Sequence, residues 1–127
     1  MTNLEVVKAM YEAFENGDMK AWEDLHSPNL VFKISGNLPI SGTFNGPDDV
    51  IENCFSAWAE HFSELTFTGL TFWESGDTVF VESKVVGGNL PAEGVLEIHK
   101  IVIEGEKIVS FQDYFDSAPY LAILNKN

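Results

Sequence analysis

At Leu65 the chain changes its hydrophobic period, and this limits the fold more than any other feature. Before it, apolar residues recur at helical spacing; after it, they alternate. Residues 65–75, 78–86, 94–104 and 107–115 read as four strands. They are separated by Ser75-Gly76-Asp77, by Gly87-Gly88-Asn89-Leu90-Pro91 and by Glu104-Gly105-Glu106. Links this short join antiparallel neighbours, so the second half is a meander. Helices first and strands after predict an α+β chain, its helices segregated onto one face of a curved sheet.

The first half carries helix punctuation. Thr2-Asn3-Leu4-Glu5 reads as a capping box, and Val6, Val7, Met10, Tyr11 and Phe14 follow at helical spacing up to the stop at Asn16-Gly17. Asp18 is placed to cap a short second helix that buries Trp22 and Leu25 and ends at Pro28. A short strand over 30–35 precedes a glycine-rich loop or small hairpin over 36–46. Gly46-Pro47-Asp48-Asp49 then starts a third helix, with proline and acids in the first turn. It runs to about Phe62, with Val50, Cys54, Ala57, Trp58 and His61 along one stripe. No repeat, linker or low-complexity segment interrupts 1–127, which reads as one domain.

Charge excludes several partners. The net charge is −13, and the seven basic residues, all lysine, are scattered singly. They form no patch to track phosphates, which argues against nucleic acid and anionic membrane. Without arginine, a bidentate clamp for carboxylate or phosphate is impossible. One cysteine, Cys54, precludes an internal disulfide and fits a reducing compartment. The N-terminus has no cationic region ahead of an apolar one, and no apolar run spans a bilayer, so a cytoplasmic location is expected.

One residue breaks the pattern of the last strand. In KIVSFQDYF, Val109, Phe111 and Phe115 share a side with Asp113. An acid on an apolar face is expensive unless it is paired or lines a cavity. A three-residue turn at 104–106 would set Ile103 opposite Lys107, His99 opposite Phe111 and Glu97 opposite Asp113. If that face lines a pocket, Glu97, His99 and Asp113 meet among Tyr11, Trp58, Phe111 and Phe115. An imidazole beside a carboxylate in an apolar cavity suits proton transfer. The same three residues would equally make a structural pair with no chemistry, and Glu97 faces solvent if the register slips by one.

Several motifs together resemble the nuclear transport factor 2-like superfamily, which holds ketosteroid isomerases and SnoaL-like polyketide cyclases. They are Tyr11-Glu12-Ala13-Phe14-Glu15-Asn16-Gly17-Asp18, then Gly42 and Gly46 before the third helix, then Glu106-Lys107-Ile108 leading into Asp113-Tyr114-Phe115-Asp116. The resemblance covers nearly the whole chain. It implies an α+β cone: a strongly bent antiparallel or mixed sheet wrapped round three helices, a cystatin-like roll with a pocket at the wide end. It also implies a homodimer through the outer sheet face, here carrying Phe80, Val86, Leu96, Ile98 and Val102.

Within that superfamily, SnoaL-like cyclases use a strand histidine and a carboxylate near the end of the last strand, at positions that match His99 and Asp113. The ketosteroid isomerase pattern is not met. Its catalytic aspartate falls where this chain has Lys33, its proton-donating acid falls near His99, and its helix-one tyrosine falls beside Tyr11. Lys33 either points outward, as strand lysines usually do, or inward, where it would pair with Asp113 and polarise a substrate carbonyl. The Asp-Arg-Asp set of limonene epoxide hydrolases is absent.

His26, His61 and His99 lie on three elements without metal-ligand spacing, so no metal site is expected. There is no phosphate loop and no nucleophile elbow. These observations point to a cofactor-free site for a small apolar carbonyl compound. Asp113 and His99 would be catalytic, with Tyr11, Phe14, Lys33, Trp58, Phe62, Glu97, Phe111 and Phe115 around the ligand. A cyclase or isomerase and a non-catalytic ligand-binding or dimerisation module are the two alternatives. The apolar tail, Tyr120, Leu121, Ile123 and Leu124, is expected to fold over the pocket mouth or onto a partner.

Overall fold

The computed structural model describes residues 1–125. Helix α1 (Asn3–Glu15) opens with the predicted capping box, Thr2 and Glu5 each bonding the other's backbone amide. Its apolar stripe buries Val6, Val7, Met10, Tyr11 and Ala13. Asp18 caps α2 (Met19–Asp24), whose single buried residue is Trp22. The helix ends earlier than the Pro28 signal suggests. Strand β1 (His26–Ile34) begins at once and runs through Pro28, its pairing irregular between His26 and Val31. Proline has no amide to give a ladder, and that is where the ladder shifts.

The glycine-rich segment is a small hairpin arm: β2 (Gly42–Asn45) pairs antiparallel with β1. The third helix is continuous but not uniform. Its α3 turn (Pro47–Asp49) passes into a π-helical turn (Val50–Phe55) and then into α4 (Ser56–His61). The wider turn slips the helical phase by one residue. Phe55 therefore joins Cys54 and Trp58 against the interior, and His61 falls off the predicted stripe.

Strands β3 (Thr66–Ser75), β4 (Thr78–Val86), β5 (Val95–Glu104) and β6 (Lys107–Phe115) form the expected meander, and α5 (Ala118–Leu124) follows. The six strands lie in the order β2-β1-β6-β5-β4-β3 in one open sheet. All neighbours are antiparallel except β1 and β6, which are parallel. Alternation is clean on β4 and β5, where Val79, Val81, Val85, Val95, Ile101 and Ile103 all turn inward. The helices close over that face, each large buried apolar side chain contributing roughly 1.5–3 kcal/mol.

The link from β4 to β5 is pinned by contact. A Cβ on Gly87 would stand 2.1 Å from the Glu64 carbonyl oxygen, and one on Gly88 would stand 2.3 Å from that of Ser63. Only glycine lets this link lie against the segment that follows α4. A second apolar cluster forms there from Leu38, Ile40, Phe62, Val95, Tyr120 and Ile123. The C-terminal tail thus folds back onto its own chain. On the opposite face, Trp73, Phe80, Leu96 and Tyr114 stay exposed.

Candidate functional site

The hairpin between β5 and β6 sets the site, and its register differs from expectation. The turn has two residues, Gly105 and Glu106, both with positive φ, so Glu104 pairs with Lys107. A bulge at Val109 then shifts the ladder, and His99 lies opposite Asp113, Ile101 opposite Phe111 and Glu97 opposite Phe115. The slip is two residues in all, so the same alternate residues still face inward from Phe111 onward. Below the bulge the faces exchange: Ile108, not Val109, is buried.

Four elements meet at His99. Its Nδ1 lies 2.5 Å from the Tyr11 hydroxyl of α1. Its Nε2 lies 3.1 Å from Glu97 Oε1 on the same strand and 3.4 Å from Asp113 Oδ1 on β6. The other Glu97 oxygen, Oε2, accepts from the Tyr120 hydroxyl of α5. Neither carboxylate brings a hydrogen when ionised, so Nε2 keeps its own. Nδ1 is then the nitrogen that titrates, accepting from Tyr11 when the ring is neutral and donating to it when charged. His99, Glu97, Tyr11 and Tyr120 are all buried.

Burial alone would push His99 down, but the Asp113 and then the Glu97 carboxylate hold it up, to about 9. Burial pushes Asp113 up and Glu97 adds to this, while His99 opposes; the result is about 7. Tyr11 is held well above the ordinary phenol range by burial and by the two carboxylates, so it stays protonated. Cys54 is pushed up to about 12, chiefly by burial, which leaves it a thiol and not a nucleophile.

A cavity of about 100 Å³ opens beside this cluster. Tyr11, Phe14, Trp58, Glu97, His99, Phe111 and Asp113 line it, as the sequence suggests. The rest of the wall comes from Met10, Trp22, Phe32, Ile34, Cys54, Phe55, Leu65, Phe67, Val85 and Tyr120. Several of these are aromatics that composition alone assigns to the core. The tail tyrosine has one sequence signal, an apolar run after the last strand.

Three expected residues stand elsewhere. Lys33 is exposed on β1, opposite Gln112, so of its two placements the outward one holds. Phe62 is buried in the second cluster beside Tyr120. Phe115 packs edge-on against Trp58 and Tyr120, behind the wall.

Asp113 stands at the polar end of the cavity, beside Glu97 and His99. Its side chain is about 10% exposed, yet its Oδ1 is fully buried, without a hydrogen bond and turned toward His99. The accessible part therefore belongs to the rest of the carboxyl side chain, against the cavity. Among the described residues, Glu97, His99 and Asp113 also bring three ligand-type atoms within 4.8 Å of one another, a cluster that spacing along the chain does not reveal. Such a set has the donors for a divalent cation. Here His99 Nε2 is already committed to Glu97 as a hydrogen-bond donor.

The comparisons agree with this architecture. Residues 7–114 match the SnoaL-like domain family. No curated protein sequence matches the chain. Among solved structures, an NTF2-like protein of Burkholderia thailandensis is 22% identical, with 98% of each chain covered and a TM-score of 0.86. TerC, co-crystallised with polyporic acid, is 18% identical over 97% of this chain and 98% of its own, with a TM-score of 0.84. A candidate polyketide cyclase of Sinorhizobium meliloti is 18% identical over 90% of this chain and all of its own, with a TM-score of 0.73. At these identities the structures testify to the fold, and the family match to descent: the chain belongs to the SnoaL-like domain family of NTF2-like folds.

Proposed function

We propose that the protein binds a small, mostly apolar carbonyl compound and moves a proton on the carbon beside the carbonyl, without a cofactor. The observation that carries this reading is Asp113. It is a carboxyl held near neutrality by burial, next to an imidazole, at the end of an aromatic cavity. A general base works best when its proton affinity lies near the working pH. Asp113 takes the proton from carbon, His99 balances the charge, and the aromatic walls hold a flat ligand. Reactions of this type include isomerisation and the ring closure of a cyclase. The polyporic acid co-crystallised with TerC and the candidate polyketide cyclase among the structural neighbours support this substrate class. We further propose a cytoplasmic protein that pairs with a second copy through the exposed Trp73, Phe80, Leu96 and Tyr114 face.

Phenylacetone is a direct probe. Its methylene hydrogens lie between a ring and a carbonyl, and their exchange in deuterated water is read by proton NMR. The protein is expected to accelerate exchange, and Asp113→Asn to lower the acceleration by about 10²–10⁴-fold with the fold intact. Undiminished exchange in that variant would remove Asp113 from the role.

A second reading is a ligand-binding module without turnover. The mutual pairing of Tyr120, Glu97, His99 and Tyr11, which leaves no polar group of the four free, favours it. Binding of phenylacetone without exchange would select it.

A further inference from the structure

Tyr120 lies outside the family match, which ends at residue 114. It is nevertheless fully buried, on the short α5, and its hydroxyl reaches the site. We infer that Tyr120 is a positioning residue: by holding Glu97 Oε2 it aims Glu97 Oε1 at His99 Nε2, and so keeps the hydrogen of that nitrogen off Asp113. This rests on the reading of Asp113 as the proton acceptor and extends it to the tail of the chain.

Glu97 has two oxygens and two partners, Tyr120 and His99. Without the Tyr120 hydroxyl, Oε2 is a buried acceptor with nothing to accept, which is unfavourable enough to make the carboxylate rotate or recruit a new donor. A rotation moves Oε1 off Nε2, and the hydrogen of that nitrogen then goes to Asp113 Oδ1, 3.4 Å away. An Asp113 that accepts from His99 is a weaker base and takes a proton from carbon less readily. With Tyr120 in place, Glu97 occupies His99 and Asp113 is free to act on a ligand.

The tyrosine ring is itself anchored, edge-on against Trp58, Phe62 and Phe115 with centroids 5.0–5.3 Å away. A phenylalanine therefore fits the same place. That separates the hydroxyl's effect from the helix's docking.

The test is Tyr120→Phe, compared with Leu124→Ala, which loosens the same helix without touching Glu97. The carboxyl carbon shift of Asp113, read by NMR across pH, reports its ionisation. Tyr120→Phe should ionise Asp113 at a pH about one unit lower than the wild type does, with the hydrogen still on His99 Nε2, while Leu124→Ala keeps the wild-type pattern. On phenylacetone, Tyr120→Phe should lower the maximal exchange rate about tenfold, with half-saturation within twofold of wild type. A folded Tyr120→Phe with an unchanged Asp113 titration overturns the inference, as does a Leu124→Ala titration altered to the same degree. If the wild type catalyses no exchange, the acid–base reading falls, and the Asp113 titration still decides the role of Tyr120.

Discussion

Two histidines are buried in this protein, and they are opposites. His26, at the start of β1, lies against Trp22, its ring tilted by 31° with centroids 3.9 Å apart, and gives its Nδ1 hydrogen to the Trp22 carbonyl at 2.6 Å. Its Nε2 has no partner. Burial, only partly offset by the carbonyl, pushes it down to about 4, so it is neutral at physiological pH. His99 is at least as buried, but it sits between a phenol and two carboxylates and is pushed up to about 9. Residue type and burial are the same, and the neighbouring carboxylates decide the charge. A neutral, half-satisfied histidine serves packing. A charged one between acids and a cavity is equipped for chemistry.

The contrast breaks most visibly at His99. Replacing it with Gln leaves Glu97 and Asp113 as two buried acids without a cation. We expect a loss of roughly 3–5 kcal/mol in denaturant unfolding at pH 7. A loss below about 1 kcal/mol would mean that the acids are not held as charges.

His26 should matter only in acid. Its folded value lies below its unfolded value near 6.5, so its contribution is present above pH 6.5 and disappears as pH falls toward 4. Comparing wild type with His26→Asn, which keeps a donor for the Trp22 carbonyl, the stability difference should change by up to about 3 kcal/mol between pH 7 and pH 4. His99 behaves in the reverse sense. Its folded value is raised, so its contribution is complete below pH 6.5 and fades as pH rises through about 9. Asp113 runs in the same sense as His99 and against His26: its raised value penalises ionisation in the folded chain progressively from about pH 4 to 7.

The rate profile sharpens the same comparison. Phenylacetone exchange should rise with pH through about 7, as Asp113 ionises, and fall beyond about 9, as His99 loses its charge. His26→Asn should leave both limbs in place. The smallest effect is expected at Lys33, which is exposed and away from the cavity. Lys33→Ala should change stability by no more than about 0.5 kcal/mol and exchange by less than about twofold.

The meander and the first helices were legible because their signals are local. Alternation, capping residues and turn glycines each act within a few positions. The parallel pairing of β1 with β6 was not, since it joins residues about eighty apart that carry no mutual mark. At the site, Asp113 and His99 stood out as polar residues on apolar faces. Their direct opposition did not, because it depends on a two-residue turn and a bulge that cost little and look like any Glu-Gly-Glu. Phe55 was hidden by the π-helical turn, which changes the phase without any required residue. Tyr120 was hidden by distance, since its partner Glu97 lies on another element.

The bulge at Val109 also sets how this chain tolerates a change of length. It is the one residue of β6 beyond the turn without a partner on β5. Deleting it would let Ile108 and Ser110 follow one another opposite Ile103 and Val102, a regular ladder, with His99 still facing Asp113. Deleting Gln112, three residues later, would instead turn Asp113 and the strand's end to opposite faces from those they hold now. One position in the hairpin is a spare link, and the ones beyond it are not.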